Sequence, residues 1–155
     1  SYITAKKHLE ENNLDDRIIE FNTSTATVAL AAKALGVSDG EIAKSMSFIV
    51  NDNPILVIVA GDKKIDNHKY KDEFKVKAKM ISFDDVETLI GHKAGGVCPF
   101  GINDNVRVYL DLSLKKYEYV YPACGTSNTA VKLLINELEK ASKYIKWVDV
   151  CKEGE

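Results

Sequence analysis

Apolar positions along the chain fall into two rhythms. Ala5 and Leu9 lie at helical spacing and predict a helix from Ile3 to Asn12, while Val28, Ala31, Ala32 and Leu35 form one stripe of a second helix. Ser24 or Thr25 is placed to cap that helix, and Gly36 stops it. Ser38, Asp39, Gly40 and Glu41 have the form of a capping box and predict a short helical turn through Ile42 and Ala43. Further helices are predicted over 66–74, over 82–91 with Ser82 and Asp85 at its start, and over 136–142.

The second rhythm is that of strands. Met46 to Val50 and Ile55 to Ala60 are rich in β-branched residues, and Asn51 to Pro54 between them is turn chemistry, so the pair reads as an antiparallel hairpin with Lys44 at its entrance. Val106 to Leu112 alternates as a half-buried strand does, and shorter candidates lie at 79–81, 117–121, 128–133 and 147–150. Strands and helices interleave without regular βαβ spacing. The expected fold is therefore a single domain over 1–155 of mixed α/β (α+β) class, a mixed sheet flanked by helices and closing toward a barrel.

Composition narrows the function. A chain of 155 residues with 45% apolar content can bury one ordinary core, and a net charge of −2, from 21 basic and 23 acidic residues, argues against coating nucleic acid through bulk electrostatics. Cys98, Cys124 and Cys151 are odd in number, far apart and without histidines at zinc-ligand spacing, which argues against a disulfide framework or a metal site. No signal-peptide core and no membrane-length apolar run is present, so the expected location is cytoplasmic. No phosphate-binding or dinucleotide glycine signature appears, and no cofactor is expected.

Candidate chemistry concentrates in the segment Gly91 to Gly101, which contains four glycines and Pro99. Such a backbone path makes a rigid loop with exposed amides, suited to cradling a carbonyl oxygen, an oxyanion or a phosphate, and equally to forming a structural turn. Lys44, among small and apolar residues, must reach water or meet a partner. Cys98 inside the loop, with His92 six positions earlier, opens the reading of a thiol hydrolase. The hydroxyls from Thr23 to Thr27 suit helix capping, and Asn128, in the polar segment Tyr121 to Thr129, could bond a ligand's amine or ribose hydroxyl or serve an ordinary turn.

Three features in this order, Lys44 in Ile42-Ala-Lys-Ser-Met-Ser-Phe48, the Gly-x-x-x-Pro spacing of Gly95 to Pro99, and Cys124-Gly-Thr-Ser-Asn128, resemble the YbaK family of aminoacyl-tRNA deacylases. That family includes the editing domain inserted in bacterial prolyl-tRNA synthetases. The resemblance implies hydrolysis, in trans, of the ester joining a wrong small amino acid to tRNA, most simply tRNA-Pro. It implies that Lys44 lies near the tRNA 3′ end and that amides of Gly95, Gly96, Val97, Cys98 and Pro99's loop bind the aminoacyl carbonyl. Thr25, Ser45, Gly125 and Asn128 are then the expected substrate-binding residues, and prolyl-tRNA synthetase is a candidate partner. A cysteine-clearing member should carry an acidic residue after the Cys124 turn, where this chain has Ala130, Val131 and Lys132. Two other readings use the same residues: a non-catalytic aminoacyl- or nucleotide-binding regulatory module, and a Cys98-dependent hydrolase.

Overall fold

The computed structural model describes residues 1–154. Its first helix, α1 (Tyr2–Glu11), buries Ala5 and Leu9, and a short strand β1 (Ile18–Glu20) follows. Helix α2 (Val28–Leu35) is capped by Thr27, whose hydroxyl accepts from the Leu30 amide, and ends at Gly36 with φ +72°. The cap thus falls two residues beyond Thr25. The Ser38/Glu41 capping box closes a 3₁₀ turn over Asp39–Glu41, after which the chain extends at once.

The hairpin is longer than its apolar runs suggest, with β2 (Ala43–Val50) and β3 (Asn53–Ala60) in unbroken antiparallel register from Ala43↔Ala60 to Val50↔Asn53. Asn51 and Asp52 both have positive φ, 50° and 68°, as a two-residue turn matched to strand twist requires. Lys44 is therefore inside the strand. Strand β4 (Lys63–Ile65) leads into α3 (Asn67–Phe74), capped by Asp66, and α4 (Val86–Ile90) ends at Gly91. The remaining elements are β5 (Arg107–Asp111), β6 (Tyr119–Val120), β7 (Thr129–Val131), β8 (Leu133–Leu134), α5 (Ile135–Ser142), β9 (Trp147–Val148) and β10 (Cys151–Glu153).

The main sheet runs β2-β3-β5-β9, antiparallel at the hairpin and parallel beyond it. Residues opposite one another share a face. Ala43, Ser45 and Ser47 thus face the same side as Ala60, Ile58 and Leu56, where the largest core cluster receives α1, α4 and α5. Lys44, Met46 and Phe48 face the other side with Val59, Val57 and Ile55, where α3 packs Tyr70 4.9 Å from Phe48 between ring centres. β3 is buried on both faces, which explains its uninterrupted apolar run.

The sheet does not close into a barrel among the described residues. Two-stranded pairs, β1-β7, β6-β8 and β4-β10, surround the four-stranded sheet instead. Among the described residues the outer edge of β2 meets other chain just before its start, at the Ile42–Tyr121 bridge, and toward its end, at the Phe48–Met80 bridge.

Candidate active site

A cleft of about 410 Å³ opens along that incompletely covered edge. The start of α2 forms one wall, residues around Met80 to Val86 another, and the glycine loop and the Tyr121 to Ala130 region complete it. Room exists because the wall is built from small side chains, among them Ala26, Ala31, Ala43, Ala94, Ala123 and Ala130. Its polar lining is hydroxyl-bearing residues, main chain and Lys44. Among the described residues no aspartate, glutamate, histidine or cysteine lines it.

Lys44 borders the cleft from β2, half-buried, and its Nζ donates to the main-chain carbonyl of Lys63 at 3.0 Å. Burial pushes its pKa below the ordinary lysine value, against the opposing pull of Cys151 and Asp62. Because side chains alternate along a strand, Lys44 and Ser45 leave β2 on opposite faces. Both border the cleft because the strand has no neighbour at this point.

Of the glycine loop, Gly95 and Val97 reach the cleft, whereas Gly96, Cys98 and Pro99 do not line it. Gly95 has φ +93°, a conformation glycine adopts freely. Gly96 is required for a different reason: a Cβ there would lie 2.5 Å from the Gly125 carbonyl carbon and the Thr126 nitrogen. The Gly96 amide donates to Lys93 O at 3.0 Å, while those of Gly95 and Val97 have no acceptor among the described residues. Proline supplies no donor, and the Cys98 amide, also without an acceptor among the described residues, belongs to a residue outside the lining, so the expected cradle of amides from Gly95 to Pro99 narrows at the cleft to those of Gly95 and Val97.

Cys98 is wholly buried and burial pushes its thiol up to about 12. Its Sγ lies 3.5 Å from His92 Nε2, so the two residues do meet. That nitrogen is only 2.6 Å from Phe100 O, an acceptor alone, so it carries the proton and cannot take one from the thiol. Burial also lowers the His92 pKa. The pair is a packing element outside the cleft, and the geometry removes the basis for a Cys98 nucleophile.

Thr25 lines the cleft and anchors its wall, its amide and hydroxyl donating to Ser127 O at 2.6 and 3.2 Å. Ser45 lines it too, and its Oγ is buried without a partner. Asn128 does not reach it: Nδ2 donates to Phe21 O at 3.2 Å and Oδ1 accepts from Thr126 at 2.8 Å, so the side chain organises a turn. Gly125 holds φ +83° against Ser1, where a Cβ would be 2.4 Å from the Ser1 carbonyl oxygen. Sequence reasoning missed Met80 and Phe83, which stand 59% and 79% exposed at the mouth, and the lining contribution of Tyr121. No periodicity marks them, since each sits between regular elements.

This fold belongs to a recognised class. Residues 22–141 match the model of the aminoacyl-tRNA editing domain, and the chain is a member of that family, an aminoacyl-tRNA deacylase. It is 46% identical over 153 residues to the "Uncharacterized protein YwhH" of Bacillus subtilis (strain 168), covering 98% of each chain. It is 23% identical over 133 residues to the "Putative Cys-tRNA(Pro)/Cys-tRNA(Cys) deacylase EbsC" of Enterococcus faecalis, covering 83% of this chain and 81% of that one. Among solved structures, "a putative trans-editing enzyme for prolyl tRNA synthetase" superposes with a TM-score of 0.88 at 27% identity over 97% and 96% of the two chains. No helix among the described residues is long and apolar enough to cross a membrane.

Proposed function

We propose that the protein clears tRNA-Pro carrying a wrong small amino acid, acting in trans in the cytoplasm on the 3′ end, with prolyl-tRNA synthetase as the enzyme whose errors it corrects. The observation that carries this reading is that one alanine-walled cleft is bordered by Lys44, its one charged residue among the described residues, and by Gly95 and Val97, whose amides have no acceptor there. The names borne by the Enterococcus relative and by the superposed structure support the choice of tRNA.

In this reading the acyl carbonyl enters the cleft and accepts from the loop amides. Water adds to the carbonyl carbon, negative charge grows on the oxygen facing those donors, and the ribose oxygen departs with a proton as the ester bond breaks. Lys44 holds the phosphate or ribose of the terminal nucleotide and so fixes the ester in place. With no carboxylate, imidazole or thiol in the lining, catalysis rests on positioning and on polarising the carbonyl rather than on a protein nucleophile. The lining hydroxyls and the confined wall suit a small side chain. Ala130 at the cleft, where a carboxylate is expected for cysteine clearance, favours alanine or serine over cysteine.

The test is a deacylation panel in which one tRNA-Pro is charged separately with alanine, cysteine, serine and proline and hydrolysis is compared with buffer. Turnover of alanine or serine with sparing of proline is the expected pattern. Rates at the buffer level for all four would leave only a binding role.

A further inference from the structure

The middle of the β2 edge carries unused main-chain groups. Ala43 N–H donates to Tyr121 O at 3.1 Å, Ser47 O accepts from Ile81 at 3.1 Å, and Ile49 N–H donates to Lys79 O at 2.9 Å. All three belong to odd-numbered residues. In an antiparallel pair alternate residues turn both N–H and C=O to the same side, and the hairpin register here has no bulge to break that rule. Ser45 therefore directs its N–H and C=O away from β3, into the gap between the Tyr121 and Ile81 contacts, where no described residue meets them. Ser45 lines the cleft, and its own hydroxyl is a buried polar group without a partner. Unpaired strand edges are ordinarily covered or blunted, and orphaned polar groups of a cleft mark what a ligand must supply.

The missing partner is one residue long. A residue that exchanges two hydrogen bonds with Ser45 must offer a donor nitrogen and, three bonds away across one Cα, a carbonyl oxygen. An aminoacyl ester has that pattern: the α-ammonium on one side of Cα and the ester carbonyl on the other. Resting on the deacylase reading above, we propose that the aminoacyl group docks on Ser45 as a single antiparallel β-residue, its α-ammonium donating to Ser45 C=O and its acyl oxygen accepting from Ser45 N–H. The same oxygen keeps a second lone pair for the Gly95 or Val97 amide, so two elements polarise one carbonyl. Recognition through main chain reads the α-amino acid itself, whatever its side chain, and leaves side-chain selection to the alanine wall. It also reads chirality, because with the nitrogen and carbonyl held, inverting Cα exchanges the side chain with the α-hydrogen and moves it off the face an L residue presents.

The whole protein is assayed by single-turnover hydrolysis of alanyl-tRNA-Pro and of the same tRNA carrying a propionyl ester, which lacks the α-ammonium. Each rate is divided by that ester's own hydrolysis in buffer. The expected result is a preference of about tenfold or more for the alanyl ester, the scale of one hydrogen bond from a charged donor. Two variants isolate the main chain. Ser45→Pro removes the outward N–H at an edge position where proline is tolerated, and should lower the rate by about 10²-fold or more. Ser45→Ala keeps that N–H and loses only the hydroxyl, so its rate should fall by clearly less than that of Ser45→Pro.

Equal normalised rates on the two esters, or a folded Ser45→Pro variant as active as Ser45→Ala, overturn the docking mode. Should a thermal melt show Ser45→Pro unfolded, the ester comparison on the wild-type protein decides alone. Absence of turnover on every aminoacyl ester of the panel is a different result, and sinks the deacylase reading together with this one.

Discussion

The main chain of Gly125 occupies the space where a side chain at Gly96 would begin, 2.5 Å from the ideal Cβ position. The glycine loop and the Cys124 to Asn128 turn, about thirty residues apart, are thereby pressed together into one wall. Gly96→Ala should cost about 1–3 kcal/mol, at the upper end because the clash is with backbone that cannot rotate away. Gly95→Ala meets its neighbours only at ordinary contact distances, 3.5 and 3.6 Å, so its penalty is the positive φ, about 1 kcal/mol. Melting temperatures should rank wild type above Gly95→Ala above Gly96→Ala. Deacylation by the folded Gly95→Ala should fall nonetheless, because the amide at 95 is re-aimed.

Lys44→Ala should lower deacylation by about 10²-fold or more while the melting temperature changes little, since the lost bond to Lys63 O is one of many tying the hairpin. The pH dependence has a definite sign. Burial lowers the Lys44 pKa, so an activity that needs the ammonium fades as pH rises through a range below that of a free lysine. Lys44→Arg should move that limb upward, because guanidinium stays charged. A folded Lys44→Ala with near wild-type rates would take Lys44 out of the site.

Cys98→Ala should retain most activity, and thiol alkylating reagents should leave the native enzyme unchanged. The thiol is buried, its pKa stands near 12, and His92 gives its proton to Phe100 O instead of accepting one. The expected cost is in stability, about 1 kcal/mol for the small cavity left behind. Complete inactivation of a well-folded variant would restore the covalent reading.

Glu137 links the start of α5 to the turn that enters β1: its carboxylate accepts from Arg17 Nη1 at 2.7 Å and from the Leu134 amide at 2.9 Å. Burial raises its pKa, but the amide and the guanidinium outweigh that and hold it below the ordinary glutamate value. A carboxyl depressed in the folded state adds stability above its unfolded pKa, and that stability is lost as pH falls through the folded value. Glu137→Gln should therefore cost about 1 kcal/mol at neutral pH, discounted for the one-third exposure of Arg17, and should flatten the acid limb of stability against pH. Urea melts at neutral pH and below pH 4 would check it, and an unchanged acid limb would remove Glu137 from this role.

Features legible in the chain are those that local physics controls. The α1 and α2 stripes, the Gly36 stop, the Ser38/Glu41 box and the Asn51–Asp52 hairpin are all decided within a few residues, and each stands where apolar period and turn chemistry predict it, with caps shifted by one or two positions. Lys44 and Gly95 stand out by residue type and setting, while Val97, Thr25 and Ser45 are expected from the family resemblance, and all five line the cleft. Tertiary structure alone decided the rest. Pairing of Ile18–Glu20 with Thr129–Val131, and of Lys63–Ile65 with Cys151–Glu153, joins strands of three residues, too short to carry a period and separated by about ninety residues or more. The same holds at the site: whether the Gly96 amide is free, which way Cys98 points, and that Asn128 serves a turn all depend on contacts with distant chain. The open edge at Ser45 is the clearest case. Alternation fixes which of its groups face outward, but only the places where Tyr121 and Ile81 happen to dock leave those groups without a partner.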